Sequence, residues 1–257
     1  MKNYFLFLVL TCFISVAVNG QRKTIQPWGV SGDVWDHSKA LGNNPSSENF
    51  YSDMRMKFAK MGEEVKLTLD DIEGTIYIDG QFSLGTLFIE GKAFKKLQLR
   101  FDAYNDEMEL KESAASEEVK ALVKDPGLSC SLNGRTFIYT TMIGKNDTRR
   151  SGYLIPLYEG KSYRFYERKI KDFKEGKQAR TSHGTSFPHR FVDENEFYIT
   201  RKDDDIPEIL PAKKSEIISI FGMEKEKTIK KFIRAKKIDV SKVGDLVNLF
   251  AYVNTLY

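Results

Sequence analysis

Residues 75–92 read Thr-Ile-Tyr-Ile-Asp-Gly-Gln-Phe-Ser-Leu-Gly-Thr-Leu-Phe-Ile-Glu-Gly-Lys, and residues 97–111 read Leu-Gln-Leu-Arg-Phe-Asp-Ala-Tyr-Asn-Asp-Glu-Met-Glu-Leu-Lys. Leu97, Leu99, Phe101 and Ala103 alternate with Lys96, Gln98, Arg100 and Asp102. A period of two places one set on a buried sheet face and the other in water. Tyr104-Asn105-Asp106 then turns the chain, because Asn and Asp bond their own backbone and tolerate left-handed geometry. Met108 and Leu110 return on the buried face, with Glu107, Glu109 and Lys111 expected outside. The stretch is an antiparallel hairpin, and it sets the class of the whole chain.

Outward from it the same pattern repeats. Asp79-Gly80, Glu90-Gly91, Asn133-Gly134 and Glu159-Gly160 stand between alternating apolar runs. Glycine in such pairs supplies the positive φ of tight turns, and Asn-Gly is the strongest type I′ signal. Strands are expected at 65–69, 74–78, 85–89, 94–104, 107–111, 118–123, 136–141, 152–158, 162–168 and 197–201, about ten in all. Connections this short make neighbours antiparallel. The result is a meander that curves into a half-barrel, a barrel or a two-layer sandwich. Residues 170–190 break the pattern and read as a long loop. Ser215–Phe221, Glu224–Lys236 and a third segment capped by Asp239 or Ser241 read as helices, the last with Leu246, Leu249, Phe250 and Val253 on one face. Strands followed by helices give an α+β, mainly β class.

The division expected is 1–20, 21–60, 61–205 and 206–257. Residues 1–20 have Lys2, an apolar run from Tyr4 to Val18, and small residues before Gln21. This is the pattern of a secretory signal peptide, with cleavage near Gly20/Gln21. The run is shorter than the roughly 20 residues that span a bilayer. Cys12 raises the alternative of lipidation. Residues 21–60 read as an irregular arm that pins Trp28, Trp35, Phe50 and Tyr51. Residues 61–205 are the β domain, and 206–257 are helices packed on it.

The 257 residues carry 41% apolar and 12% aromatic residues and a net charge of +4, or +3 without Lys2. That is ample for a core and is no nucleic-acid signature. Beyond the leader Cys130 is the one cysteine, so no internal disulfide is available.

Phe82-x-x-Gly85, Leu99-Arg100-Phe101-x-x-Tyr104-Asn105-Asp106-Glu107-Met108-Glu109 and Leu249-Phe250-x-Tyr252-x-Asn254 resemble recurring features of exported proteins of Bacteroidota-type bacteria. The resemblance implies a bacterial, exported protein, periplasmic or extracellular. That family has no assigned activity, so no functional residue carries over. The Asp-Gly and Glu-Gly turns also echo the MORN-like repeat, from which the irregular spacing departs.

Each chemical lead has a plain counterpart. His183 and His189 flank a Gly- and Ser-containing loop and suggest zinc, with Asp193 or Glu194, or an exported hydrolase; their spacing matches no ligand motif, and no Gly-x-Ser-x-Gly elbow exists. Cys130 lies in Leu128-Ser129-Cys130-Ser131-Leu132, which reads as strand and makes it a small buried hydrophobe. Asp203-Asp204-Asp205 lacks the spacing of a calcium loop. No catalytic, cofactor-binding or metal residue is assigned. The basic 224–237 helix suits an anionic membrane surface, or simply buries Ile229, Phe232 and Ile233 and leaves its lysines in solvent. Tyr153, Tyr158, Tyr163 and Tyr166 crowd one hairpin and are the candidate surface for an apolar ligand or envelope protein; the plain counterpart is that both faces of the hairpin are buried. The expectation is therefore an exported, non-enzymatic binding or interaction protein presenting a concave apolar sheet face, with the His183/His189 hydrolase as the alternative.

Overall fold

The two ends of the 97–111 hairpin belong to the first of two meanders that share one sheet. The computed structural model describes residues 45–47, 54, 56, 72–177, 187–202 and 204–257, all within the unit His37–Tyr257. A short β1 (Ile72–Glu73) leads into β2 (Ser83–Ile89), β3 (Lys92–Asp102), β4 (Glu107–Lys111) and β5 (Lys120–Ala121). The second meander is β6 (Leu128–Leu132), β7 (Arg135–Ile143), β8 (Arg149–Glu159), β9 (Tyr163–Lys174) and β10 (His189–Arg201). A two-residue β11 (Glu208–Ile209) precedes helices α1 (Lys214–Ile220), α2 (Glu226–Ala235) and α3 (Val243–Asn254). The architecture is the expected α+β, mainly β class.

The strand order is β1-β10-β9-β8-β7-β6-β2-β3-β4-β5. The chain completes one meander, then returns to lay β6 against β2, with Leu87 opposite Cys130. Both residues are fully buried, so the seam between the meanders is an apolar one. β11 closes the far half: it pairs with β10 antiparallel and with β7 in parallel. Strands β7 to β11 thus form a ring, while β2 to β5 remain an open extension. The sheet is mixed rather than purely antiparallel, because β1 and β11 each make a parallel pairing.

The hairpin forms as its alternation dictates. Leu97, Leu99, Phe101, Ala103, Met108 and Leu110 are all buried. Two residues expected in water are buried as well. Asp102 accepts the Tyr104 and Asn105 backbone N–H groups at 3.0 and 2.9 Å and the Asn105 amide at 2.7 Å, which builds the turn. Glu109 is enclosed by Arg100, Tyr77 and Ser47. Asp106 takes the left-handed position, φ +55°. The tight turns at Glu90-Gly91 and Asn133-Gly134 have both residues at positive φ, as a type I′ hairpin requires.

Other expectations move. Residues 74–78 are bends with one bridge, Tyr77 to Asp102, not a strand. The loop expected over 170–190 is shorter, since β9 runs on to Lys174 and β10 starts at His189, in register from Tyr163–Arg201 to Lys174–Arg190. The extended ladder is held by Phe173 against Phe191, which joins Ile72 and Ile76 in a small apolar cluster, and by Lys171 and Lys174 bridging to Asp193 and Glu194. Of 21–60, Ser47, Met54 and Met56 are helical, so that segment is not wholly irregular. The third helix is capped at Lys242, without a side-chain bond. Asp239 and Ser241 instead bond each other. Residues 1–20, Trp28, Trp35, Phe50, Tyr51, the strand expected at 65–69, His183 and Asp203 lie outside the described residues.

Helices pack against β8 to β10. Phe165 of β9 stacks on Phe250 of α3 at 4.5 Å, and Phe221 meets Phe250 and Tyr163 edge-on. Ile229 and Ile233 of α2 and Leu246, Leu249 and Val253 of α3 complete this core. Each such side chain contributes roughly 1.5–3 kcal/mol by leaving water. Asn254 then locks α3 to the β8–β9 turn, accepting the Ser162 and Tyr163 N–H groups at 2.9 and 3.1 Å. No helix among the described residues is long and apolar enough to cross a membrane.

Candidate functional site

The four hairpin tyrosines do not form an open surface. Tyr153 is buried against Phe101 and Tyr139, with ring centroids 5.6 and 5.3 Å away. Burial pushes its phenol well above the ordinary value. Tyr166 fills the strand ring together with Met142, Leu154 and Tyr198, backed by Ile138 and Ile209. Tyr163 lies under Phe221 and Tyr257, and its phenol is pushed up to about 12, chiefly by burial. Tyr158 is half-buried on the helical core. A five-stranded ring is narrow enough for its own side chains to fill it. The concave face is therefore occupied by core residues.

The histidine lead is not gathered into a site either. His189 Nδ1 accepts the Gly176 N–H at 2.9 Å, and its ring stacks on Phe173. Asp193 and Glu194 face Lys171 and Lys174. No group of three or more His, Cys, Asp or Glu converges among the described residues. Cys130 is sealed in the β2–β6 seam, and burial pushes its thiol up to about 12, where no useful thiolate exists at neutral pH.

Several charged groups on the sheet pair with one another. At the mouth of the ring, Arg150 donates to Glu196 and to the Tyr198 hydroxyl, which itself donates to Glu196 at 2.9 Å. Arg168 reaches Glu196 at 3.5 Å and Asp106 at 3.1 Å. Asp106 also accepts the Tyr153 N–H at 3.2 Å, tying the first meander to the second. Burial alone would lower the Arg150 pKa, but Tyr198 and Glu196 outweigh it and hold the group charged. On the other meander the Arg100 guanidinium lies between the Tyr77 and Phe82 rings, at 3.7 and 4.2 Å, and donates to Glu109 at 2.6 Å. These are closed networks with equal numbers of guanidinium and carboxylate groups, suited to holding strands together.

The helices differ. Over residues 213–237 there are nine cations and three acids, a net +6 against +4 for the whole chain. Lys213 and Lys230 have acidic partners, Glu216 and Glu226. Lys225, Lys227, Lys231, Arg234, Lys236 and Lys237 have none among the described residues. On α2, Ile229, Phe232 and Ile233 share the face turned to the body, and Phe232 stacks on Tyr252 at 3.8 Å. Lys227, Lys230, Lys231 and Arg234 fall within an arc of about 100° on the opposite side, as a 3.6-residue repeat requires. Between α1 and α2 lies a groove of about 550 Å³. Buried Ile218, Ile233 and Ile238 form its floor, and exposed Lys214, Lys230, Arg234 and Lys237 surround it. Lys214 is steadied by donating to the Ile238 carbonyl at 3.2 Å.

The basic helix was legible in the sequence; the contributions of Lys214 and of Met223 were not. Lys214 joins the surface only because α1 packs on α2. Met223 is a single apolar residue in a helix–helix turn, which periodicity does not register. Family models, curated proteins and solved structures show no match to this chain, so its chemistry is read from its own residues.

Proposed function

We propose that this chain is an exported, non-catalytic binding protein of a bacterial envelope that engages an acidic partner through α1 and α2. The observation that carries the reading is the unbalanced +6 over residues 213–237, set on exposed faces, whereas Arg100, Arg150 and Arg168 on the sheet are each paired with a carboxylate. A one-sign surface attracts an opposite one over distance and raises the rate of encounter. The apolar floor of the groove adds contact area once the charges meet. Export is supported by the leader-like pattern of residues 1–20 and by the resemblance of the 82–109 and 249–254 segments. The carrier form of the expectation is not retained, because core side chains fill the ring.

The test is sedimentation of purified protein with isolated envelope membranes from its own source. Wild-type protein is expected to sediment at low ionic strength and to be released by salt, since salt shortens the Debye length to about 10 Å at 0.1 M. The triple variant Lys227→Glu, Lys231→Glu, Arg234→Glu is expected to stay in solution. These side chains are exposed, so the fold should survive. Equal sedimentation of both proteins would overturn the reading.

A further inference from the structure

The partner's chemistry can be narrowed further, resting on the reading above. We infer that α2 lies along an anionic phospholipid surface and that Met223 enters the lipid at its leading end. Met223 is 88% exposed, the most exposed large apolar residue described. It stands one turn before Lys227, at the start of the cationic ridge. Its exposure does not come from a loose loop. Phe221 on one side is fully buried between Tyr163 and Phe250, and Ile229 on the other is fully buried in the same core. Gly222 turns the chain at φ +82°, close to the hydroxyl of Tyr257, which donates to the Phe221 carbonyl.

Tyr257 is itself 57% exposed. An ordered tip thus presents a flexible apolar side chain at the start of a ridge of cations, with the Tyr257 hydroxyl close to the adjoining Gly222. An acidic protein would meet the charges and the groove between α1 and α2, whose lining does not include Met223. A lipid interface uses both parts: its phosphates meet the ridge, and its acyl boundary takes the apolar side chain. A short helix of ten residues spans about 15 Å, enough for Lys227, Lys230, Lys231 and Arg234 to reach headgroups together.

The experiment uses protein-free vesicles, of phosphatidylcholine alone and of an equal mixture with phosphatidylglycerol. Binding is expected to the mixture and not to phosphatidylcholine. Each cation removed should weaken it about fivefold, and Met223→Ser about tenfold, with no change in thermal stability. In a Cys12→Ser background, a Met223→Cys protein carries one accessible thiol at the tip, because Cys130 is sealed. A fluorophore there should be quenched by brominated acyl chains. Charge-dependent binding to envelope membranes without binding to the mixed vesicles would overturn the lipid inference and leave the acidic-partner reading standing. Vesicle binding with an unquenched fluorophore and an undiminished Met223→Ser variant would overturn the insertion. Loss of both membrane and vesicle binding would remove the parent reading as well.

Discussion

Replacing Arg100 by methionine should expose how the first meander is held. Glu109 is fully buried and Arg100 is 18% exposed at its side chain. Arg100 Nε and Nη2 both donate to Glu109 Oε2, at 3.0 and 2.6 Å. The Tyr77 hydroxyl, 2.9 Å from Nη2, reaches the other carboxylate oxygen at 3.4 Å. Arg100→Met removes the only guanidinium on that carboxylate among the described residues, and breaking a buried pair from this side costs roughly 3–5 kcal/mol. Glu109→Gln in the wild-type background keeps the shape but loses a charged acceptor, about 1.5–3 kcal/mol. In the Arg100→Met background the same Glu109→Gln change should become stabilising, by about 1–2 kcal/mol, because it neutralises a carboxylate left without its partner. Urea unfolding at neutral pH gives all four corners of the cycle as midpoints, read at constant slope. The sign reversal is the point. If Glu109→Gln destabilises both backgrounds equally, Glu109 is not held by Arg100 and the account of this meander is wrong.

Asp102 gives a pH signature. Burial outweighs its three hydrogen-bond donors and raises its pKa from 3.8 to about 6. A carboxyl whose folded pKa is raised adds stability that is complete below the unfolded value and is lost as pH rises through the folded one. The shift corresponds to about 3 kcal/mol between pH 3.8 and 6, seen as the difference between wild type and Asp102→Asn across that window; a flat difference contradicts it. Gly152→Ala should cost about 1–3 kcal/mol, since its Cβ would lie 2.2 Å from Asp106 Oδ2, which Arg168 and the Tyr153 N–H hold in place; a neutral thermal midpoint would show that the Asp106 clasp yields freely. Asn254→Ala should cost about 2–4 kcal/mol by leaving the Ser162 and Tyr163 N–H groups without their acceptor. Asn254→Asp, which keeps the acceptor, should cost less by the same chemical denaturation, and the reverse order would count against the role given to this side chain.

What the sequence disclosed follows from which interactions are local. The 97–111 hairpin was legible because its apolar period and its turn residues agree. The inner faces of the helices were legible for the same reason, at a period of 3.6. Alternation misplaced Asp102 and Glu109, because it assumes that the face opposite the core meets water; here a turn folds over one and Arg100, Tyr77 and Ser47 cover the other. Ring closure was out of reach, since a two-residue strand at Glu208–Ile209 has no period. The tyrosine hairpin misled in the same way: aromatics on both faces mean two buried faces when helices cover one side and a ring closes on the other. The cationic ridge could be read directly, but its neighbours Lys214 and Met223 are assembled by tertiary packing of α1 on α2.

The exposed cations of α1 and α2, proposed as the docking surface, should be shielded when the protein docks. Acylation rates of individual lysines, measured by mass spectrometry with and without envelope membranes, read this shielding residue by residue. Lys227, Lys231 and Lys237 should be protected on docking, while exposed Lys92 and Lys96 on β3 keep their free rates. Protection at Lys92 and Lys96 with unchanged rates along α2 would contradict the claim and place the docking surface on the open meander instead.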